Sequence, residues 1–115
     1  MPTHKISIIG DRFMQSAVFE AALLERCENF SLSISKFDLA WPDQHMEHGY
    51  AVTGMDGLKE YVGSADETVA LIADDEIVIT QLAPFSASIM ERSPTLKFIA
   101  VSRGGPVNID MNAAR

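Results

Sequence analysis

The chain predicts an α/β protein built on a parallel sheet, and three observations carry that reading. Short apolar or β-branched runs recur at His4–Ile9, Phe30–Phe37, Glu76–Thr80 and Leu96–Val101. Segments with helical spacing lie between them, the βαβ alternation of a parallel sheet with helices on both faces. Two of the runs, Ile77-Val78-Ile79 and Phe98-Ile99-Ala100-Val101, lead directly into breaks, Gln81-Leu82-Ala83-Pro84 and Ser102-Arg103-Gly104-Gly105-Pro106. Two buried strands therefore end on one edge of the sheet, where such proteins place their ligands.

Taken in order, the first strand is nearly continuous in β-branched residues and is halted by Gly10-Asp11. A helix is predicted over roughly Met14–Glu28. Val18, Ala21, Ala22, Leu24 and Cys27 recur there at near-helical spacing, and the span contains neither Gly nor Pro. The second strand alternates Phe30, Leu32, Ile34 and Lys36 with Ser31, Ser33, Ser35 and Phe37. A serine face with period two suits a half-exposed strand near a sheet edge.

The connection from Asp38 to Tyr50 has no clear period and is long for a compact domain. From Gly54 to Asp75 the chain reads as two short helices, MDGLKEYV and DETVALIA, divided by Gly63-Ser64, with Asp66 a candidate cap of the second. A helix over Ser86–Arg92, opened by Ser86 and closed by Ser93-Pro94, separates the third and fourth strands. Asp110 would cap a last helix beginning at MNAAR. The expected strand order is 2-1-3-4, as in flavodoxin-like folds, with a further strand expected beyond Arg115 and the domain read as truncated.

Composition narrows the function classes. At 115 residues there is room for one domain and one core. Sixteen acidic against nine scattered basic residues give a net charge of −7, which argues against nucleic-acid binding, since phosphate neutralisation needs clustered Lys and Arg. An acidic surface also repels anionic membranes, and no apolar run reaches the ~20 residues needed to span one. The single cysteine, Cys27, suits a reducing compartment, and a cytoplasmic protein is expected.

Several chemistries lack their motif. The turn after the first strand is Gly10-Asp11-Arg12-Phe13-Met14-Gln15, with one glycine where a dinucleotide fold shows G-x-G-x-x-G. Neither a P-loop nor a G-x-S-x-G elbow is present. Asp11 lacks the companion carboxylates a magnesium-dependent phospho-acceptor needs, and reads as a turn or cap residue. His45-Met46-Glu47-His48 offers two imidazoles but no third ligand nearby, so no metal is expected. Ser102-Arg103-Gly104-Gly105-Pro106 remains. Its glycines allow backbone N–H groups to converge on an anion, with Arg103 as a bidentate partner; a tight turn needing left-handed dihedrals is the alternative.

The segment from Arg92 to Asp110, RSPTLKFIAVSRGGPVNID, with DEIVITQLAP before it, resembles the N-terminal substrate domain of D-isomer-specific 2-hydroxyacid dehydrogenases, the group that includes phosphoglycerate dehydrogenase. The likeness covers most of the chain and is weakest over Asp38–Gly63. It implies a flavodoxin-like domain that holds the carboxylate of a small 2-hydroxy or 2-oxo acid, with Arg103, Gly104 and Gly105 as the cradle and the loop around Pro84 and Phe85 lining the cleft. The resemblance places the NAD-binding Rossmann domain, and the family's catalytic arginine, glutamate and histidine, in a second domain.

No catalytic, cofactor-binding or metal-binding residue is therefore expected in this chain, and none of His4, His45 and His48 has the context of a carboxylate orienting it at a reacting centre that acid–base work requires. Proline at 106 lacks an N–H and departs from the phosphoglycerate-type loop. The alternative reading is a non-catalytic flavodoxin-like module that binds an anion or a partner. A sheet without its next strand exposes an open edge, which leads to the further expectation of a homo-oligomer or a mobile C-terminal segment.

Overall fold

The computed structural model describes residues 3–40, 47–48, 58–103 and 106–115. Four strands form one parallel sheet: β1 (His4–Gly10), β2 (Leu32–Asp38), β5 (Ile77–Thr80) and β6 (Phe98–Val101), in the spatial order β2-β1-β5-β6. Counted by themselves along the chain, these four run 2-1-3-4. A separate antiparallel pair joins β3 (Glu47–His48) to β4 (Lys59–Tyr61). The helices are α1 (Ser16–Arg26), α2 (Ala65–Ile72), α3 (Ala87–Glu91) and α4 (Met111–Ala114).

The period of two in β1 sorts its side chains between two layers. Ile6 and Ile8 turn towards the α1 side, where Leu23 and Cys27 lie over Ile6. Ser7 and Ile9 turn the other way, and Ser7 Oγ donates to Leu71 O of α2 at 3.2 Å and to the buried Asp75 carboxylate. On that second side Ile9, Val78, Ile72, Ile89 and Phe85 make the main core, all at most 1% exposed. At about 25 cal/mol per Å² of apolar surface, that packing is the main stabilising contribution to the fold. Strand β2 sits at the edge, with Leu32 and Ile34 half-buried and the serines exposed, as its alternation requires.

Two local features differ from expectation. The segment read as the helix MDGLKEYV contains β4 instead, at least over Lys59–Tyr61. Tyr61 and Leu58, each 1% exposed, are drawn into the core, and tertiary burial outweighs the helical propensity of a short stretch. The cap of α2 is Ser64, whose Oγ accepts from Glu67 N at 3.1 Å, and Asp66 lies inside the helix, where its negative charge favours the first turn. The start of α1 is capped from a strand. Gln15 at its N-cap makes no side-chain cap bond; Asp38 at the end of β2 accepts from Ser16 N at 2.6 Å and from Ser16 Oγ at 2.9 Å. Gly10 makes this approach possible, because a Cβ there would lie 2.3 Å from Ser16 N and 2.4 Å from Asp38 Oδ1.

Ser86 and Asp110 cap α3 and α4 as expected. Trp41, Pro42 and His45 lie outside the described residues, as do Met55 to Gly57 of the first expected helix. Among the described residues no helix is long and apolar enough to cross a membrane.

Candidate functional site

At the carboxyl ends of β5 and β6 two turns are tied together. After β5, Thr80 Oγ1 donates to Ile9 O at 2.7 Å and accepts from Ala83 N at 3.2 Å. One hydroxyl thus closes the turn and locks it to β1. After β6, Ser102 N bonds to Thr80 O at 3.1 Å, so the second turn begins in register with the first. The chain then comes back beside the first turn, where Phe85 N donates to Asn108 O at 2.9 Å and Asp110 N to Phe85 O at 2.8 Å, a short parallel bridge.

Asn108 holds the two turns in place. Its side chain is wholly buried, and Nδ2 donates to Ala83 O at 2.8 Å and to Gln81 O at 3.2 Å. Its Oδ1 accepts from Arg103 Nη1 at 3.3 Å. An amide suits this position because it supplies two N–H donors and an acceptor from one planar group without a charge to desolvate.

Arg103 reaches across to the β3–β4 ribbon. Nη1 donates to Glu60 O at 2.9 Å and Nη2 to Glu60 Oε2 at 3.3 Å, with the Arg103 side chain 18% exposed. The guanidinium therefore meets a carboxylate, the chain's own. Glu60 takes a positive φ of 49°, a conformation that costs non-glycine residues about 1 kcal/mol or more, so the contact to Arg103 helps to hold a strained position.

The other expected site residues lie around this frame. Pro84 is buried, and Phe85 is fully buried with both backbone groups paired to the 108–110 segment, so its ring belongs to the core. Gly104 and Gly105 lie outside the described residues. The structure brings together Arg103, Pro84, Phe85 and two residues that the expected site omits, Asn108 and Glu60. Asn108 lies within RSPTLKFIAVSRGGPVNID, the segment that carries the resemblance. Glu60 carried no signal, because its role depends on the β4 backbone.

Asp11 is fixed as a turn residue: its Oδ1 accepts from Phe13 N at 2.8 Å and Met14 N at 2.9 Å. At the opposite end of the sheet, His4 Nδ1 and Glu76 Oε1 lie 2.8 Å apart, and this contact holds the Glu76 carboxyl below the usual carboxylate range. Beside it Lys5 Nζ donates to Asp74 at 2.7 Å, which raises the lysine and lowers the aspartate. Among the described residues no group of three or more His, Cys, Asp or Glu side chains could hold a metal ion. No family model, curated protein or solved structure matches the chain.

Proposed function

We propose that the chain is the flavodoxin-like substrate domain of an NAD-dependent D-2-hydroxyacid dehydrogenase, cytoplasmic, binding the carboxylate of a small 2-hydroxy or 2-oxo acid at the Ser102–Pro106 turn. The observation that supports this most is the frame built by Asn108. It fixes the turns after β5 and β6 against each other at the carboxyl edge of a parallel sheet, where α/β proteins bind ligands. In this reading the backbone N–H groups of Gly104 and Gly105 hold the carboxylate. Arg103 lends positive charge beside them, and its bonds to Glu60 and Asn108 position the turn. The reaction passes a hydride between substrate C2 and the nicotinamide and a proton between the hydroxyl and a base. Both the cofactor and the base would come from a separate NAD-binding domain, whose glycine fingerprint this sequence lacks.

Amide NMR spectra of the 115-residue chain, titrated with D-glycerate, test the reading. Shifts concentrated at residues 102–106 are expected, with none on adding NAD. Glycerol, which has no carboxylate, should leave these amides in place. Absence of any response to D-glycerate would end the proposal. An equal response to inorganic phosphate would favour a plain anion-binding module.

A further inference from the structure

The Arg103 guanidinium has five N–H donors, and most of them are spent within the chain. Nη1 donates to Glu60 O at 2.9 Å and to Asn108 Oδ1 at 3.3 Å, and Nη2 donates to Glu60 Oε2 at 3.3 Å. Both Nη1 hydrogens are thereby committed to neutral oxygens, which leaves a ligand one Nη2 hydrogen and Nε–H. The bond to Glu60 O holds that residue by its backbone, at a φ of 49°. Its carboxylate therefore stays beside the turn after β6 whether or not it keeps Nη2. The Arg103 side chain is 18% exposed and that of Glu60 56% exposed, so the positive charge is mostly covered while the negative one reaches solvent.

Among the described residues no other Lys or Arg side chain bonds to this frame. Lys5 and Lys97 pair with Asp74 and Glu76 at the opposite, amino end of the sheet. Lys36 pairs with Glu20, and Arg92 with Asp66. The segment that returns past Phe85 adds a carboxylate instead, Asp110, which caps α4.

Resting on the reading that a carboxylate binds at the turn after β6, we propose that Glu60 restricts the ligand to 2-hydroxy or 2-oxo acids with no second anionic group. A single carboxylate joins a pair, Arg103 and Glu60, whose charges cancel. A second carboxylate has no further cation to meet among the described residues and feels the Glu60 charge. Two like unit charges about 8 Å apart, at an effective dielectric of about 40, repel enough to weaken binding roughly sixfold. A phosphate, with close to two charges, loses more. The net charge of −7 acts in the same direction at longer range.

Amide NMR titrations of the 115-residue chain with D-glycerate, D-malate and D-3-phosphoglycerate, read at Ser102 and Arg103, test the charge rule. They are run on the parent and on Glu60→Gln, which keeps the size of the side chain. In the parent, D-malate should bind about sixfold more weakly than D-glycerate, and D-3-phosphoglycerate more weakly still. In Glu60→Gln the ratio of D-malate to D-glycerate dissociation constants should fall to about one. High salt should lower the same ratio in the parent, because an exposed charge is screened. A parent that binds D-malate as tightly as D-glycerate overturns the rule and leaves the carboxylate reading intact, as does a ratio that Glu60→Gln leaves unchanged. Silence towards all three ligands ends the carboxylate reading and this rule with it. The salt series on the parent decides by itself if the variant does not fold: a salt-independent ratio means that size, not charge, excludes D-malate.

Discussion

Removing the side chain that joins the two turns is the most direct perturbation of the frame. Asn108→Ala deletes the donors to Ala83 O and Gln81 O and the acceptor for Arg103 Nη1. Arg103 keeps its contacts to Glu60 and stays partly solvated, so its loss is small. Ala83 is fully buried, and its carbonyl would be left without a donor where water does not reach. With about 1 kcal/mol for each bond to a carbonyl and about 1 kcal/mol for the stranded oxygen, the expected loss is roughly 3 kcal/mol. That is a large share of the ~5–15 kcal/mol typical of a small domain. Urea unfolding followed by far-ultraviolet circular dichroism measures it directly. Asn108→Asp separates the contributions, since it keeps an acceptor for Arg103 but faces both carbonyls with an oxygen. It should destabilise at neutral pH at least as much as alanine does. An alanine variant within about 0.5 kcal/mol of the parent, or an aspartate variant as stable as the parent, would refute the reasoning.

Two further outcomes are expected. Gly10→Ala should cost about 2–3 kcal/mol in the same urea assay, because the new Cβ would fall 2.3 Å from Ser16 N and 2.8 Å from Met14 O, both backbone atoms that cannot give way without moving the start of α1. In acid, Glu76 and Asp74 have folded-state pKa values below their unfolded ones. Their stabilising contribution is therefore present above the unfolded values and is lost as pH falls through the folded ones. His4→Ala should move the Glu76 titration, followed by side-chain carboxyl NMR, back up towards the ordinary glutamate range, and a Glu76 curve that does not move would remove His4 as the cause.

The sheet was legible because burial and alternation are written residue by residue. Ile6, Ile8 and Ile9 in β1, and the serine face of β2, encode which side of each strand meets the core. Ser86 and Asp110 announced their helices because a short polar side chain before an apolar or small-residue run has few other uses. The β3–β4 ribbon was not legible, since Lys59-Glu60-Tyr61 has no strand pattern of its own. Its conformation follows from burying Tyr61 and Leu58 and from a left-handed backbone at Glu60, where a glycine would have given the signal. The capping of α1 by Asp38 was hidden for a related reason: the donor and acceptor are 22 residues apart, and only the pairing of β1 with β2 brings them together. At the candidate site, the turn after β6 was visible from its arginine and glycines, but the direction of Arg103 was set by a partner that no local pattern names.

That partner gives the site a competitor within the molecule. In the proposed reading, a free carboxylate that takes the Nη2 donor now bound to Glu60 Oε2 would displace the Glu60 side chain, which then loses a contact that helps to hold its unfavourable backbone angle. In that reading, occupancy of the turn after β6 and the geometry of the β3–β4 ribbon would be linked, each resisting or favouring the other by the same free energy. A ligand measured at one end should be detectable at the other, and replacing Glu60 with glutamine should tighten the binding of a carboxylate that uses Arg103 while loosening the ribbon. If the proposed carboxylate site is correct, an internal anion would tune how readily an external one is accepted.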